Sequence, residues 1–222
     1  TRPGARPEAA AAQEPLEHQV EPLPLFKALM QHAQRSQRVV ILDCAPANSA
    51  SIRVFGALNC RIEYLDLPAL FPYLSKTQDP AQLRRIIGSV MPPRAAGSPV
   101  SHILCWDYLN YLSPAAIDAL VSVLSTYARR DALLHALIVY STQTMPARPI
   151  RNRPESLECL GITRTAAELA EAAAPNYSPK AMQRSMPGYR MEKAMLLKNG
   201  CQEYVMRREI ASEEVPAAGQ NP

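Results

Sequence analysis

Glycine is scarce in this chain of 222 residues: eight, against 21 prolines. The prolines gather near the two ends and in two interior loops, so they read as loop and tail residues and exclude a fibrous repeat. No G-x-G-x-x-G string follows any apolar run, which argues against a nicotinamide-dependent oxidoreductase on a Rossmann fold. The five cysteines, Cys44, Cys60, Cys105, Cys159 and Cys201, include no CxxC pair. The four histidines, His18, His32, His102 and His135, are equally scattered, so no zinc site is expected. Cys44 and Cys105 border apolar runs and read as free thiols buried in a reducing compartment. No apolar run reaches the length of about 18 residues that a membrane helix needs. Thr1 to Ala12 carries no apolar core and is not read as a signal peptide. A cytoplasmic protein is the expectation, and the absence of an initiator Met predicts a trimmed start. The net charge is only +4, and Lys and Arg are spread rather than gathered on one face, so no nucleic-acid partner is expected.

What is present suits one globular domain. The hydrophobic fraction of 47% can fill a sizeable core. Residues 1–23, rich in Pro, Ala and Glu, read as a disordered tail. Residues 24–209 read as the domain, and residues 210–222 as a second tail. Leu25 to Gln37 has apolar residues at helical spacing. Val39 to Leu42 is apolar on both faces, which suits a buried parallel strand, and it ends in Asp43. Ala50 to Leu58 is a helix. Arg61 to Asp66 alternates and again ends in an acid. Leu67 to Val90 is helical in pieces broken at Pro68, Pro72 and Pro80, and Met91 to Pro99 is a loop.

His102 to Trp106 is the next buried strand, ending at Asp107. Ser113-Pro114 opens a long amphipathic helix, with Ser as cap and Pro in the first turn. Arg129-Arg130 is expected to close it, since cations suit a helix C-terminus. Leu133 to Tyr140 is a fourth strand, and Thr142 to Pro154 a loop. Thr165 to Ala174 and Pro179 to Met186 read as short helices. Met191 to Leu197 and Cys201 to Arg207 flank Lys198-Asn199-Gly200, a strong hairpin signal.

Strands alternating with helices imply an α/β fold with a mostly parallel sheet and right-handed crossovers. The closing hairpin adds an antiparallel edge. In such sheets ligands lie beyond the carboxyl ends of the strands, where the strand order reverses. Three strand ends carry polar clusters: Asp43 onward, Asp66, and Asp107 to Asn110.

This pattern resembles the class I methyltransferase family, a Rossmann-like α/β sandwich, over roughly residues 25 to 208. Three stretches carry the resemblance. VVILDCAPANSAS (Val39 to Ser51) is similar to the family's first cofactor motif. RIEYLDL (Arg61 to Leu67) is similar to its second strand, whose terminal acid binds the ribose hydroxyls of S-adenosylmethionine. SHILCWDYLNYLSPAAIDAL (Ser101 to Leu120) is similar to the fourth strand and following helix of small-molecule methyltransferases. The sequence also departs from the family. Its glycine-rich turn reads Ala45, Ala47 and Ser49 at the glycine positions, and Pro46 stiffens it. A positive φ would be costlier for Ala and Ser than for Gly. No third strand is found between Asp66 and Ser101, so the acid that would meet the adenine amino group has no position. A string of the Asn/Asp-Pro-Pro-Tyr type, expected of a nucleic-acid methyltransferase, is absent after the fourth strand.

The resemblance implies S-adenosylmethionine as cofactor. It would lie against Asp43, Cys44, Ala45, Pro46, Ala47 and Asn48, against Asp66 and Leu67, and against Trp106 and Asp107. Tyr108 and Asn110 are expected toward the acceptor. Arg148 and Arg151, with Arg153, form the one basic cluster and would grip an anionic acceptor; a solvated loop is the plainer account of them. No catalytic base is identified. The expected function is methyl transfer to a small-molecule acceptor. The alternative is an inactive methyltransferase-like scaffold that binds a protein partner or a second copy of itself.

Overall fold

Apolar runs that show no alternation become the buried interior of a six-stranded sheet. In the computed structural model, which describes residues 17–93, 98–149, 151–164, 170–175 and 177–209, β1 (Glu17–Pro22) and α1 (Pro24–Arg35) precede the first of these strands. Strand β2 (Val39–Asp43) is buried at all five positions. It is followed by α2 (Ser49–Phe55) and β3 (Cys60–Tyr64). Between β3 and the next strand the described residues form a 3-10 turn, Pro68–Leu70, then α3 (Phe71–Leu74) and α4 (Pro80–Gly88). Strand β4 (Val100–Leu104) is again buried throughout, and α5 (Pro114–Tyr127) leads into β5 (Ala128–Val139). After the short strands β6 (Thr144–Pro146), β7 (Arg151–Pro154), β8 (Cys159–Arg164) and β9 (Glu171–Ala173) come α6 (Pro179–Ser185) and the hairpin β10 (Tyr189–Leu196) and β11 (Cys201–Arg208).

The main sheet has the order β10-β11-β5-β4-β2-β3. Strands β3, β2, β4 and β5 are mutually parallel, whereas β11 runs antiparallel to β5 and β10 antiparallel to β11. The chain steps outward from β2 to β3, then returns to lay β4 on the other side of β2. That reversal creates a crevice at the carboxyl ends of β2 and β4. Gly200, with φ +83, supplies the left-handed residue that the β10–β11 hairpin turn requires.

Prolines start the helices. Pro24, Pro80, Pro114 and Pro179 each occupy the first turn of α1, α4, α5 and α6, where a missing N–H costs nothing. Asp79, Ser113 and Ser178 cap α4, α5 and α6 with their own side chains. Helix α1 is preceded by Leu23, which offers no side-chain cap. Its cap comes from the far end of the chain. The buried Glu203 of β11 accepts the N–H groups of Leu25 (2.9 Å) and Phe26 (2.6 Å) and meets His135 Nε2 of β5 at 2.9 Å. A carboxylate at a helix N-terminus answers both the free N–H groups and the helix dipole.

Four expectations are corrected. Residues 17–22, assigned to the leading tail, pair antiparallel with β8, and β7 completes a three-stranded sheet; backbone bonding orders this polar stretch without an apolar pattern. Arg129 and Arg130 do not close α5. They lie in β5, because Ala128 already pairs with Val100 of β4. The helix expected over Thr165 to Ala174 gives way to β9, which pairs with β6; residues 165–169 lie outside the described residues. Tertiary pairing overrides helix propensity there. The loop expected over Thr142 to Pro154 contains β6 and β7. Residues 1–16 and 210–222 of the two expected tails lie outside the described residues.

Replacing Glu203 by Ala strands two amide donors and a histidine in the core, and costs about 3–5 kcal/mol. Glu203→Gln, which keeps one acceptor oxygen, costs less. Urea unfolding of both variants checks this, and a loss below roughly 1 kcal/mol for the alanine variant would show that the tie is dispensable.

Candidate active site

The carboxyl ends of β2, β3 and β4 are knitted together by backbone hydrogen bonds. Cys44 donates its N–H to the Leu104 carbonyl, and its own carbonyl accepts from Leu67. Leu65 donates to the Asp43 carbonyl. The first acid and the residues on either side of the second are thus held in one edge.

Asp43 is fully buried at this edge. Its Oδ1 accepts from the Ala45 amide at 3.0 Å and from the Trp106 indole Nε1 at 2.6 Å. Its Oδ2 is buried and meets no donor among the described residues. Burial pushes the carboxyl up to about 7, against the lowering effect of the two hydrogen bonds to Oδ1. Trp106 reaches Asp43 because its own backbone is left-handed, with φ +50, an uncommon state for a bulky residue. This bend ends β4 and drives the indole into the core, where it packs 5.4 Å from Phe26 and 5.9 Å from His135, centroid to centroid. The Trp106 carbonyl accepts from Leu137 of β5.

The turn from β2 to α2 accommodates its substitutions without strain. The positive-φ residues other than glycine, among those described, are Arg38 and Trp106. Ala45, Ala47 and Ser49 therefore sit where an L side chain is comfortable, and glycine is not required by backbone conformation. Ala45 is buried, Pro46 and Ala47 are exposed, and Asn48 caps α2 by accepting from Ser51 N–H at 2.9 Å. The Cys44 thiol lies 3.9 Å from that of Cys105. The contact with Cys105, reinforced by burial, holds the Cys44 thiol protonated, well above its ordinary range.

Asp66 is exposed beyond β3, and its Oδ1 accepts from Ala69 N–H at 3.3 Å. Leu67 is buried beneath it. Asp107 is half-buried, and its carbonyl accepts from the amide and the side chain of Asn110. Asn110 is occupied as a clamp on β5. Its Nδ2 donates to the Leu137 carbonyl at 2.9 Å, and its Oδ1 accepts from Val139 N–H at 2.9 Å. Tyr108 is buried, and its phenol is held well above its ordinary range by burial first and then by Asp107, Asp43, Cys44 and Asp66.

The structure adds residues that the sequence reading missed. Phe71 stacks on Tyr111, with centroids 5.8 Å apart, and meets Tyr108 edge-on at 6.2 Å. This aromatic cluster bounds the crevice beside Asp66. Its only sequence signal was the position of Phe71, five residues past an acid at a strand end. Arg148 is exposed, and its carbonyl accepts from the Tyr111 hydroxyl at 3.1 Å, so its loop lies next to the cluster. Arg151 lies on β7; its side chain falls outside the described residues. An open groove of about 690 Å³ lies at the opposite ends of the strands, lined by Arg38, Val39, Cys60, Arg61 and Arg129 among others. It is remote from all three acids. Among the described residues no group of three or more side chains could hold a metal ion, and no helix is long and apolar enough to cross a membrane.

The architecture is a Rossmann-like α/β sandwich: a parallel core reversing between β2 and β4, with an antiparallel hairpin at the far edge and, among the described residues, no strand between β3 and β4. No family model matches the chain, and no curated protein matches it in sequence. Among solved structures it is similar to the glycopeptide N-methyltransferase MtfA in complex with S-adenosylmethionine, with 11% identity over 84% of this chain and 93% of that one and a TM-score of 0.46. It is also similar to the 1,6-didemethyltoxoflavin N1-methyltransferase of Burkholderia thailandensis, with 13% identity over 84% and 78% of the two chains and a TM-score of 0.44. A third is a methyltransferase of Methanosarcina mazei, with 10% identity over 82% and 97% and a TM-score of 0.40.

The raised Asp43 carboxyl makes a signed prediction. Unfolded, the group titrates near 3.8; folded, it titrates at about 7. Between those values the folded state holds more protons, so this group's contribution to stability falls as pH rises from about 4 to about 7 and levels off above. Asp43→Asn should flatten that part of the stability–pH curve, as thermal or urea unfolding across the window would show. An unchanged slope would mean that Asp43 is ionised throughout.

Proposed function

We propose that this chain is an S-adenosylmethionine-dependent methyltransferase acting on a small-molecule acceptor. The observation that carries the reading is the placement of Asp43 and Asp66 at the reversal of the sheet, on either side of a turn free of backbone strain. The fit of the cofactor is supported by the orphaned Oδ2 of Asp43, a buried acceptor suited to an N–H or O–H donor, and by exposed Asp66, suited to hydroxyls. Pro46, Ala47 and Asn48 would form the wall between them, and Leu67 and the Phe71–Tyr111 pair an apolar flank. Trp106 contributes by holding Asp43 rather than by direct contact. Asp107 would face the acceptor side, and exposed Arg148 suits an anionic group there.

When bound, S-adenosylmethionine supplies an electrophilic methyl group on a sulfonium. The work left to the protein is to align the acceptor with it and to exclude water, and orientation carries much of such a rate. The rigid edge formed by Cys44, Leu65, Leu67 and Leu104 serves that need, as does the Asn110 clamp. A base is required only where the acceptor is protonated at working pH. Cys44 is no candidate for that role, since its thiol stays protonated and buried.

Calorimetric titration with S-adenosylmethionine and S-adenosylhomocysteine tests the reading. The expected result is micromolar binding, weakened roughly 10- to 100-fold in Asp66→Ala by loss of charged hydrogen bonds. Absence of both heat and thermal shift at millimolar ligand would sink it, and so would equal binding by wild type, Asp66→Ala and Asp43→Ala.

A further inference from the structure

The main sheet stops at β3, whose outer backbone edge pairs with no strand among the described residues. An open edge invites pairing, and proteins usually cover or blunt it. In β3 the direction of the free groups can be read from the ladder. Leu65 donates its N–H to Asp43 of β2, and backbone groups alternate sides along a strand. Glu63 and Arg61 therefore face β2 with their backbone, while Ile62 and Tyr64 turn N–H and C=O outward. None of Cys60 to Tyr64 is fully buried.

The sequence of this edge is complementary to itself. Antiparallel pairing with a second copy, centred on Ile62, would set Ile62 opposite the partner's Ile62 as a hydrogen-bonded pair. The same register sets Arg61 opposite the partner's Glu63, and Glu63 opposite the partner's Arg61. Within one chain these two already meet at 2.8 Å on one face of the strand, with the Arg61 side chain 46% exposed and the Glu63 side chain 9% exposed beneath it. A two-fold axis through Ile62 thus turns one local ion pair into a network of four charges, with outward backbone groups satisfied on both sides. A slip of two residues, the smallest that keeps the outward groups paired, would set Arg61 opposite the partner's Arg61 or Glu63 opposite the partner's Glu63, so the charges also select the register.

From this geometry we infer that the protein forms a reversible homodimer by antiparallel pairing of β3 edges, making one continuous twelve-stranded sheet. Five residues per edge form a small interface, so the dimer is concentration-dependent. The inference is independent of the proposed activity, because the edge lies outside the crevice and needs no ligand.

Sedimentation equilibrium of the full chain over a micromolar dilution series, without ligand, is the test. Wild type should move from monomer toward dimer with concentration. Arg61→Glu and Glu63→Arg each place like charges opposite one another and should remain monomeric at the top concentration. Circular dichroism shows whether each is folded, and exposed Arg61 is the safer site. An equimolar mixture of the two variants should regain the wild-type dimer fraction, as should the double variant Arg61→Glu/Glu63→Arg. A wild type that stays monomeric overturns the inference. So does a folded Arg61→Glu variant that dimerises like wild type, or a mixture of two folded variants that fails to associate.

Discussion

A carboxylate enclosed at the end of β2 is the constraint around which the crevice is arranged. Asp43 ties its own turn through Ala45 and ties the end of β4 through the Trp106 indole. To present that indole, the chain adopts a left-handed residue at Trp106, and the same bend sends Asp107 and Tyr108 across the strand ends. Strain at one residue and desolvation at another are unfavourable singly. Together they define where the crevice lies, and the tolerated cost of both is the kind of local conflict that accumulates at functional sites.

The core beneath is organised by a second buried carboxylate. Glu203 joins the start of α1 to β11 and, through His135, to β5. Phe26, one of the residues whose amide it accepts, packs on the ring of Trp106. The cap of α1 and the floor under Asp43 are therefore one contiguous cluster of Phe26, Trp106 and His135. A hairpin at the far edge of the sheet thus caps a helix 177 and 178 residues earlier in sequence and, through Phe26, backs the Trp106 indole.

Much of this was legible from pattern. Apolar runs without alternation marked β2, β4 and β5, because burial on both faces leaves no polar position. Proline after a capping serine marked α5, and Asn-Gly marked the closing hairpin, whereas Pro80, read as a break, proves to start α4 behind the Asp79 cap. What pattern missed depends on distant partners. Residues 17–22 are polar and acquire order only from pairing with β8. Arg129 is a natural helix end by charge, yet the ladder to β4 starts one residue before it. Within the crevice the acids at Asp43 and Asp66 could be read from strand ends. The orphaned Oδ2, the Trp106–Asp43 bond and the occupation of Asn110 on β5 could not, since each depends on side-chain direction in three dimensions.

The absence of glycine from the turn after β2 matters less to its backbone than the sequence suggests. Glycine is indispensable where φ is positive or where no Cβ fits. The first condition fails at Ala45, Ala47 and Ser49. Small side chains preserve close approach, and Asn48 caps α2 in the extended conformation usual for a capping residue. Alanine and serine at these positions also leave the unfolded chain less conformational freedom than glycine would, which stabilises the folded turn where the backbone is compatible. A turn of this kind is stiffer than its glycine-rich counterpart. Its shape is set by the Asp43 side chain and by the strand ends it joins rather than by adjustment of the loop.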